Sequence, residues 1–425
     1  MNFYSVLSSK INKRSAKIAI IGLGYVGLPL VLQFAKKKFD VIGFDIDKKK
    51  INDLKKKRSY IKHIPNTLLK KFSKKLFFTD NFRFITKCNI IILCLPTPLT
   101  NKFTPDLSYI QKTLKNIKNY LENGQLLILE SSTYPGSTRS VVMPYLKKFE
   151  IGKKFFLGYS PEREDPNNTK YKLENIPKIC SGYSIQCLKL TSLLYSKILK
   201  RIVKVTSLET AEFVKLYENI YRSVNIGLVN EMKVISNKLG LNIHEIIEAA
   251  KSKPFGFQAF YPGPGVGGHC IPVDPYYLSW IAKKNKINTN LIYDAGRINS
   301  YMPKWIISNS LLGRNIRKTL IIGIAYKKDL DDTREAPAIN FINILNQKKI
   351  KVEFHDPNIK ILKSRKLKKI YKSVEITSKS IQKYDCVIIV TDHSNIDYNL
   401  IRKNAKLIVD TRNVYKSNYK NVLKL

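Results

Sequence analysis

The sequence predicts an α/β protein in which two domains built on parallel β-sheets are joined by a central long-helix segment. Three observations support this prediction. Residues 17–44 contain a complete strand–helix–strand unit, residues 208–239 show one helical pattern without proline, and strand–helix alternation returns in the C-terminal part. The expected domains are residues 1–205, residues 206–310 and residues 311–425.

Length and composition are those of a folded globular protein. The chain has 425 residues, 44% of them hydrophobic, which is enough for two or three domains with cores. Its formal net charge is +43, but lysine is scattered over almost every polar segment, without aromatic-interleaved basic motifs or a basic tail. We therefore expect no nucleic-acid partner, although the charge favours anionic ligands through electrostatic steering.

The cysteines and the apolar segments bear on the cellular compartment. The six cysteines form no C-x-x-C pair and no cluster at metal-ligand spacing, which predicts free thiols, a reducing cytoplasm and no metal site. The uncharged residues 18–35 carry three glycines and a proline, so a strand, a turn and a helix start explain them better than a membrane span. Residues 1–15 lack the apolar region of a secretion signal.

The first domain opens with the strand–helix–strand unit. Residues 17–21 are an apolar strand, residues 28–37 fit a helix, and residues 40–44 fit a second strand that ends at Asp45. Further buried strands are expected from short apolar segments, each separated from the next by a helix-length segment: residues 90–95, 126–130 and 155–159. This alternation predicts a parallel sheet covered on both faces, a Rossmann-like arrangement.

The turn between the first strand and helix reads GLGYVG. Gly22, Gly24 and Gly27 fit the G-x-G-x-x-G fingerprint for a dinucleotide, and Tyr25 and Val26 complete the turn. The first glycine permits the turn, the second lets pyrophosphate approach the helix N-terminus, and the third allows close helix packing. Asp45 is placed to accept hydrogen bonds from the adenosine ribose and disfavours a 2′-phosphate, so the predicted cofactor is NAD. The alternative is a glycine turn without a ligand.

The central segment is predicted to be helical. Apolar residues recur at helical spacing over residues 208–239, namely Phe213, Leu216, Ile220, Val224, Leu228 and Ile235. Lys215 and Asn219 lie four positions apart and so share one helix face, which is either a functional polar pair or an ordinary solvated surface. Asn242 with Glu245 predicts the start of the next helix, and Pro275 after Asp274 predicts another.

The C-terminal part repeats the alternation of the first domain. Its expected elements are one helix over residues 337–347 and strands over residues 319–324, 351–354, 385–390 and 406–409. The glycine fingerprint is missing from this part. We interpret it as a second nucleotide-type sheet that serves another purpose.

One cysteine lies in a loop of glycine and proline, PGPGVGGHCIPVD, at position 270. Glycines allow main-chain N–H groups to approach phosphate or sugar oxygens, and Cys270 could add to an electrophilic carbon. Together with NAD, this predicts oxidation of an alcohol to an aldehyde, capture of the aldehyde as a thiohemiacetal, a second hydride transfer to give a thioester, and hydrolysis. The alternative is a surface loop with an inert cysteine.

Hydrolysis needs a carboxylate to assist water, and the oxyanions need donors. Glu162 and Glu164 follow directly after a predicted strand, where open α/β sheets bind ligands, or else form a charged loop. Thr133 also follows a strand, with a helix N-cap as its alternative role, and Asp274 could likewise be only an N-cap. Lys215 and Asn219 are the predicted donors.

Eight segments, in order, resemble the UDP-glucose/UDP-N-acetylmannosamine dehydrogenase family over nearly the whole chain. They are GLGYVGLPL, GFDID, CLPTPLT, ESSTYPGST, YSPERED, AEFVKLYENIY, FYPGPGVGGHCIPVDPYYL and AYKKDLDDTREAPA. The SPERED and GPGVGGHCIPVDP forms are similar to UDP-N-acetylglucosamine (or galactosamine) 6-dehydrogenases of surface-polysaccharide synthesis. The resemblance implies an NAD-binding N-terminal domain, a central helical segment for dimerisation and a C-terminal UDP-binding domain.

The resemblance also implies a role for each matching residue. Cys270 is the expected nucleophile, Lys215 and Asn219 stabilise oxyanions, and Glu162 assists water, with Thr133 and Asp274 supporting the water and the lysine. The implied cofactor contacts are Gly22, Gly24, Tyr25, Val26, Gly27, Asp45, Thr97, Thr133, Lys327 and Arg334. The implied substrate contacts are Glu162, Glu164, Lys215, Asn219, Tyr261, Gly263, Gly265, Gly267 and Arg412.

The expected reaction is the four-electron oxidation of the C6 alcohol of a UDP-N-acetylhexosamine, with UDP-N-acetylglucosamine as the first choice and two NAD reduced per sugar. UDP-glucose, UDP-N-acetylgalactosamine and UDP-N-acetylmannosamine remain alternatives. A two-electron hydroxy-acid dehydrogenase would share the fingerprint and the long helix but would not need Cys270. A basic nucleic-acid or membrane-surface binder is supported by the net charge alone.

Overall fold

The computed structural model describes residues 2–61, 64–163 and 173–425. The chain divides into two compact units. The first contains Met1–Glu218 and Tyr276–Asn285, and the second contains Asn219–Pro275 and Lys286–Leu425. Both are α/β units, so the predicted fold class is confirmed.

The first unit is built on a sheet that has eight strands within the described residues, in the order β3-β2-β1-β4-β5-β6-β7-β8. The strands are β1 (Ile18–Ile21), β2 (Val41–Phe44), β3 (Leu76–Thr79), β4 (Ile90–Leu93), β5 (Leu126–Leu129), β6 (Phe156–Tyr159), β7 (Lys178–Gly182) and β8 (Ile202–Lys204). The first six strands pair in parallel, with Ile18 of β1 opposite Val41 of β2 and Ile90 of β4.

One edge of this sheet departs from the parallel arrangement that the sequence predicted. Strand β7 pairs antiparallel to β6, with Gly158 opposite Gly182, and β8 then pairs parallel to β7. The prediction omitted β3, β7 and β8. Strand β3 is short, with two buried residues after Leu76 and the exposed Phe77, β7 opens with a lysine, and β8 has only three residues, so all three give a weaker signal than the predicted buried strands.

Within the described residues, six α-helices of the first unit precede the central helix. They are α1 (Phe3–Asn12), α2 (Gly27–Lys36), α3 (Lys48–Lys55), α4 (Asn66–Lys71), α5 (Ser108–Ile117) and α6 (Ile185–Ser196). The prediction did not include α1. Its Leu7 and Ile11 are buried in the core of the unit, and Tyr4 makes an edge contact with Phe156 of β6.

The central segment contains α7 (Leu208–Lys238), α8 (Ile243–Lys251), α9 (Asp274–Lys284) and α10 (Asn290–Leu311). Helix α7 agrees with the predicted long helix within one residue, and the two units divide within it after Glu218. Asn242 caps α8 by accepting a hydrogen bond from the His244 amide, as its position predicted.

The sheet of the second unit has five strands within the described residues, all parallel, in the order β10-β9-β13-β14-β15. These are β9 (Lys318–Ile322), β10 (Lys351–His355), β13 (Cys386–Ile389), β14 (Ile408–Asp410) and β15 (Val422–Lys424), with a small antiparallel pair, β11 (Ile361–Leu362) and β12 (Tyr371–Lys372). The helices are α11 (Pro337–Gln347), α12 (Ser378–Ile381) and α13 (Tyr398–Asn404). Apolar clusters cover both faces.

The first strand of each sheet leads into a turn with the same hydrogen bonds. We call this arrangement, a glycine with positive φ and an aspartate at the end of the neighbouring strand, the shared frame. In the first unit, Gly22 has a φ of +94° and donates its N–H to Phe44 O at 2.8 Å, while Asp45 accepts from the Leu23 amide at 2.9 Å. In the second unit the corresponding turn has Gly323 at φ +74°, an N–H to His355 O bond of 2.9 Å, and an Ile324 N–H to Asp356 Oδ2 bond of 2.8 Å. The second unit therefore keeps the frame without the glycine fingerprint.

Candidate active site

The glycine turn of the first unit fits a dinucleotide. A Cβ on Gly22 would lie 2.3 Å from the Cys94 carbonyl oxygen, and a Cβ on Gly27 would lie 1.9 Å from the Gly22 carbonyl oxygen, so the chain itself requires both glycines. A Cβ on Gly24 would meet nothing within 4 Å. Gly24 therefore leaves open space at the start of α2, where a bound pyrophosphate is expected.

Asp45 lies at the end of β2, as predicted, and its carboxylate is buried. Oδ2 accepts the Leu23 amide and lies 3.6 Å from Lys50 Nζ, while Oδ1 accepts the Asp47 amide at 2.9 Å. A carboxylate can accept about four hydrogen bonds, so these contacts orient the group and leave acceptor capacity for a ribose.

The other predicted cofactor residues of the first unit lie just before α2 or after the carboxyl ends of strands β4 and β5. Val26 is the residue that precedes α2, and Tyr25 packs against the core of the unit. Thr97 follows β4, is buried, and its carbonyl accepts the Tyr277 hydroxyl at 2.9 Å. Thr133 follows β5 and is fully buried, and its hydroxyl has no hydrogen-bond partner among the described residues, which does not support a helix N-cap.

The loop after Thr133 is held by a residue that the sequence did not single out, Glu212 of α7. Its carboxylate accepts hydrogen bonds from the Gly136 amide at 2.6 Å, the Ser137 hydroxyl at 2.8 Å, and the amide and hydroxyl of Thr138 at 2.8 and 2.6 Å. The group is fully buried, and burial raises its pKa even though these hydrogen bonds favour the ionised form. Glu212 thus fixes the conformation of the segment that carries Thr133.

Glu162 and Lys215 meet in the first unit. Lys215 Nζ donates to the backbone carbonyl of Glu162 at 2.6 Å, and the Glu162 Oε1 accepts the Arg163 amide at 2.7 Å. Arg163 is in turn fixed by Glu218 through two contacts of 2.6 and 3.2 Å. Lys215 is only 9% exposed, so the interpretation of its helix face as a solvated surface is wrong.

A buried ion pair lies directly behind Glu162. Lys178 Nζ, on the first residue of β7, is 3.2 Å from Glu130 Oε2 and 3.4 Å from Glu162 Oε2. Tyr195 of α6 donates its hydroxyl to Glu130 Oε1. Burial raises the pKa of Glu130 to about 7, an effect that Lys178 opposes and Glu162 reinforces. Burial alone would lower the pKa of Lys178, but the two carboxylates raise it instead.

The second unit contains Cys270 at a turn before α9. The Cys270 carbonyl accepts the amides of Val273 at 3.0 Å and Asp274 at 2.8 Å, and the residue is partly exposed. The Asp274 carboxylate is buried and accepts the Asn219 side-chain amide at 2.5 Å. Two predicted catalytic residues, Asn219 and Asp274, are therefore in direct contact.

The glycines of the Cys270 loop are required by the packing of the second unit. A Cβ on Gly263 would lie 2.9 Å from Arg412 Nη1, and Gly265 has a φ of +113° with its Cβ position 3.1 Å from the Asn299 carbonyl oxygen. A Cβ on Gly267 would lie 2.7 Å from the Tyr326 side chain. The loop thus brings Arg412 beside Gly263, two residues that the sequence predicted to share a ligand.

A buried pair of asparagines anchors this loop. Asn230 of α7 accepts the Gly263 amide at 3.0 Å and donates to Asn299 of α10 at 2.9 Å, and Asn299 donates to the Ser223 carbonyl at 3.0 Å. Both side chains are about fully buried, so every one of these bonds replaces water. Sequence reasoning missed this pair because asparagine within a helix gives no distinctive pattern.

The remaining predicted residues have local partners. Arg412 donates from Nε to the Val390 carbonyl at 2.7 Å, and burial lowers its pKa. The Tyr261 hydroxyl donates to Glu248 at 2.5 Å. Arg334 forms a two-contact ion pair with Asp332, and its carbonyl accepts the Gly268 amide, while Lys327 is partly buried. Glu164 lies outside the described residues.

Comparison with protein-family profiles gives three consecutive matches. Residues 16–199 match the NAD-binding domain of the UDP-glucose/GDP-mannose dehydrogenase family, residues 209–301 its central domain, and residues 320–417 its UDP-binding domain. The chain belongs to this family. It is therefore an NAD-dependent oxidoreductase of the UDP-sugar dehydrogenase type, and the predicted cofactor is confirmed.

Curated and structural relatives cover nearly the whole chain. A UDP-N-acetyl-D-glucosamine 6-dehydrogenase of Pseudomonas aeruginosa is 33% identical over 92% of this chain and 95% of its own. A UDP-N-acetyl-D-mannosamine dehydrogenase of Pyrococcus horikoshii is 34% identical over 94% of this chain and 96% of its own. A solved structure of UDP-D-ManNAc dehydrogenase from the same organism covers 96% of this chain and 98% of its own at 32% identity, with a TM-score of 0.85.

No helix among the described residues has the length and apolar character needed to cross a bilayer. Within those same residues, no three histidine, cysteine or acidic side chains come together as a group that could hold a metal ion.

Proposed function

We propose that this enzyme oxidises the C6 alcohol of a UDP-N-acetylhexosamine to the carboxylate in two steps, with UDP-N-acetylglucosamine as the first choice, for surface-polysaccharide synthesis. The observation that carries this proposal is the position of Cys270. This partly exposed residue lies on the turn that leads into α9, and α9 begins at Asp274, the buried partner of Asn219. A thiol so placed can hold the aldehyde covalently for a second oxidation, a role for which a two-electron dehydrogenase has no need. The relatives named for N-acetylhexosamine substrates support the sugar class.

The residues of the chain divide the chemistry as follows. NAD, when bound, accepts one hydride in each of the two oxidations. The C6 hydroxyl loses a proton as the first hydride leaves, and the aldehyde carbon is captured by the Cys270 sulfur to form a thiohemiacetal. Loss of the second hydride from carbon, together with the proton of the thiohemiacetal hydroxyl, gives a thioester at Cys270. Water then adds to the thioester carbon, the carbon–sulfur bond breaks, and the products are the uronic acid and the free thiol.

Donors and acceptors for these steps come from five side chains. Lys215 and Asn219 supply N–H donors to the oxyanions, on successive turns of α7. Asp274 orients the Asn219 amide through the 2.5 Å hydrogen bond. Glu162 accepts a proton from the attacking water, and the buried Thr133 hydroxyl, which lacks a partner among the described residues, positions that water.

The binding roles follow the two units. In the first unit, the open side of Gly24, the turn residues Tyr25 and Val26, Asp45 and Thr97 hold the dinucleotide. In the second unit the Gly263–Arg412 contact supports recognition of the UDP-sugar. The remaining proposed substrate contacts are Glu164, Tyr261, Gly265 and Gly267, and Lys327 and Arg334 are proposed to reach the cofactor.

A homodimer through α7 is part of the proposal. Its support is a stripe of exposed apolar side chains along the helix, at the spacing of three, four or seven residues that places side chains on one helix face. The stripe consists of Phe213, Tyr217, Tyr221, Leu228, Met232, Ile235 and Leu239. Leu239 lies one residue past the end of the helix. Of the apolar residues predicted for one face, Leu216 and Ile220 are buried instead, so the helix has two apolar sides. We also propose residues 1–205, 206–310 and 311–425 as functional domains and a cytoplasmic location.

The experiment that tests the reaction measures NADH released per sugar consumed. The protein is incubated with NAD and, separately, UDP-glucose and the UDP derivatives of N-acetylglucosamine, N-acetylgalactosamine and N-acetylmannosamine. We expect two NADH and a uronic acid from an N-acetylhexosamine. One NADH with an aldehyde or ketone product would refute the proposal, and turnover of UDP-glucose alone would refute the sugar class.

Cys270→Ser tests the role of the thiol. We expect this variant to bind the UDP-sugar normally and to lose steady-state turnover by at least about a hundredfold. Cys386→Ala is the matched control, because it removes a thiol that is buried in β13 of the same unit. Near-normal turnover of Cys270→Ser would remove Cys270 from the mechanism.

A further inference from the structure

Glu130, Lys178 and Glu162 form a buried charge cluster in the first unit. They come from the ends of three adjacent strands, since Glu130 follows β5, Glu162 follows β6 and Lys178 begins β7. The side chains of Glu130 and Lys178 are 0% and 4% exposed, whereas that of Glu162 is 14% exposed. One end of the cluster is therefore sealed, and only Glu162 reaches solvent.

The single ammonium group of this cluster is divided between two carboxylates. Lys178 Nζ lies 3.2 Å from Glu130 and 3.4 Å from Glu162, nearly equidistant. Tyr195 holds Glu130 in place through its hydroxyl, and Lys178 Nζ also lies 5.0 Å from the centre of the Tyr195 ring. Because the interior screens charges weakly, removal of either neighbour changes the electrostatic environment of Glu162.

We propose that Lys178 is a positioning residue that holds Glu162 ionised and aimed for the attack of water, and that Glu130 tunes this effect by competing for the same ammonium group. The proposal rests on the proposed function, in which Glu162 assists water. Glu130 itself does not touch the reacting atoms, because its side chain is fully buried and engaged by Lys178 and Tyr195.

Other charged or titratable groups surround the cluster. Lys215 of α7 donates to the Glu162 carbonyl, and Arg163 is neutralised by Glu218. The thiols Cys94, after β4, and Cys180, on β7, also interact electrostatically with members of the cluster. Burial raises the pKa of both thiols, by far for Cys94 and to about 12 for Cys180, so neither titrates near neutral pH. Lys178 and Glu130 are therefore the two groups that the variants change.

Substitutions of Lys178 and Glu130 should shift the pH dependence of the rate in opposite directions. A purely structural role of either residue would not produce opposite shifts. Lys178→Met removes the cation, so protonation of Glu162 becomes easier and the acid limb of the pH–rate profile moves up by about one to three pH units. Glu130→Gln leaves the cation to Glu162 alone, so the acid limb moves down, by up to about half a unit because the pKa of Glu130 is about 7 and its carboxyl is partly protonated near neutral pH. The rate measured is that of the second half-reaction, thioester hydrolysis, in single-turnover experiments with the UDP-N-acetylhexosamine that the enzyme turns over.

Folding and the proposed function are checked separately. Lys178→Met leaves two carboxylates facing each other, which could destabilise the fold. The double variant Lys178→Met/Glu130→Gln removes one of these carboxylates, and its acid limb is expected between those of the single variants. NAD affinity and circular dichroism report folding. A wild type that releases one NADH per sugar would refute the proposed function whatever the profiles show. With two NADH per sugar, acid limbs that do not move, or that move in the same direction in both single variants, would overturn the role of Lys178.

Discussion

Two alanine substitutions in the same glycine turn should have opposite consequences. Gly27→Ala places a Cβ 1.9 Å from the Gly22 carbonyl oxygen, although real Cβ contacts essentially never fall below 3.0 Å. The start of α2 and the first turn must therefore separate by about 1 Å, and both are part of the buried core. Gly24→Ala meets no atom within 4 Å, so the folded chain accommodates it.

The expected magnitudes follow from these distances. Gly27→Ala forces backbone apart in a packed core and should cost about 3 kcal/mol or more, which lowers the melting temperature by roughly 6 to 12 °C for a unit of this size. Gly24→Ala reduces the entropy of the unfolded chain and should stabilise by about 0.4 to 1 kcal/mol. Its methyl group, however, fills the space for the pyrophosphate, so we expect NAD affinity to fall at least about tenfold, or roughly 1.4 kcal/mol.

Differential scanning calorimetry and NAD titration measure the two effects independently. Gly24→Ala should melt at or above the wild-type temperature while binding NAD weakly, and Gly27→Ala should melt well below it. A Gly24→Ala variant with wild-type NAD affinity would show that the dinucleotide does not cross this turn. Wild-type stability of Gly27→Ala would show that the turn relaxes without cost, contrary to its packing.

Two further predictions concern the central helix. Glu212→Gln removes the charge and one acceptor from a site with four donors, so the free energy of unfolding measured by chemical denaturation should fall by about 1 to 3 kcal/mol. An unchanged denaturation midpoint would contradict the role of Glu212 in holding the Thr133 loop. Leu228→Lys/Met232→Lys puts charges on the exposed apolar stripe and should convert a dimer to a monomer in sedimentation velocity experiments, whereas Glu231→Lys, an exposed control on the same helix, should not. A monomeric wild type, or dissociation by the control alone, would contradict the interface.

The sequence predicts well those features that depend on neighbours along the chain. The strand, the glycine turn and the helix that follow one another at Gly22 are recognisable because each glycine meets a local steric requirement, and Asp45 is found from the end of the next strand. Lys215 and Asn219 were found by helical spacing, and both are buried. Local pattern and local geometry coincide at these positions.

Features that depend on distant neighbours were missed. Lys178 and Glu130 are far apart in sequence and meet only because β5, β6 and β7 are adjacent, and β7 runs antiparallel to β6. A lysine that opens a strand has the sequence signal of a polar edge residue, so its burial could not be inferred. A polar residue at the end of each adjacent strand was the available signal, but the order of the strands at this edge was needed to combine them.

The exposed apolar side of α7 could not be separated from its buried side by sequence alone. Helical spacing identifies apolar positions but does not distinguish a side that packs inside the chain from a side that remains exposed. Leu216 and Leu228 satisfy the same pattern, yet the first is buried and the second is 54% exposed. Only the packing of the other elements around α7 separates them.

The shared frame of the two sheets differs between the units in what surrounds its aspartate. In the second unit the Asp356 carboxylate, which corresponds to Asp45, is fully buried and contacts His393 Nε2 at 3.0 Å, while His393 Nδ1 accepts the Asp329 amide at 2.9 Å. An internal imidazole thus contacts the oxygen of Asp356 that also accepts the Ile324 amide, whereas the corresponding oxygen of Asp45 has no histidine partner among the described residues. Because the second turn is occupied by side chains of its own unit, we expect NAD to bind the first unit alone.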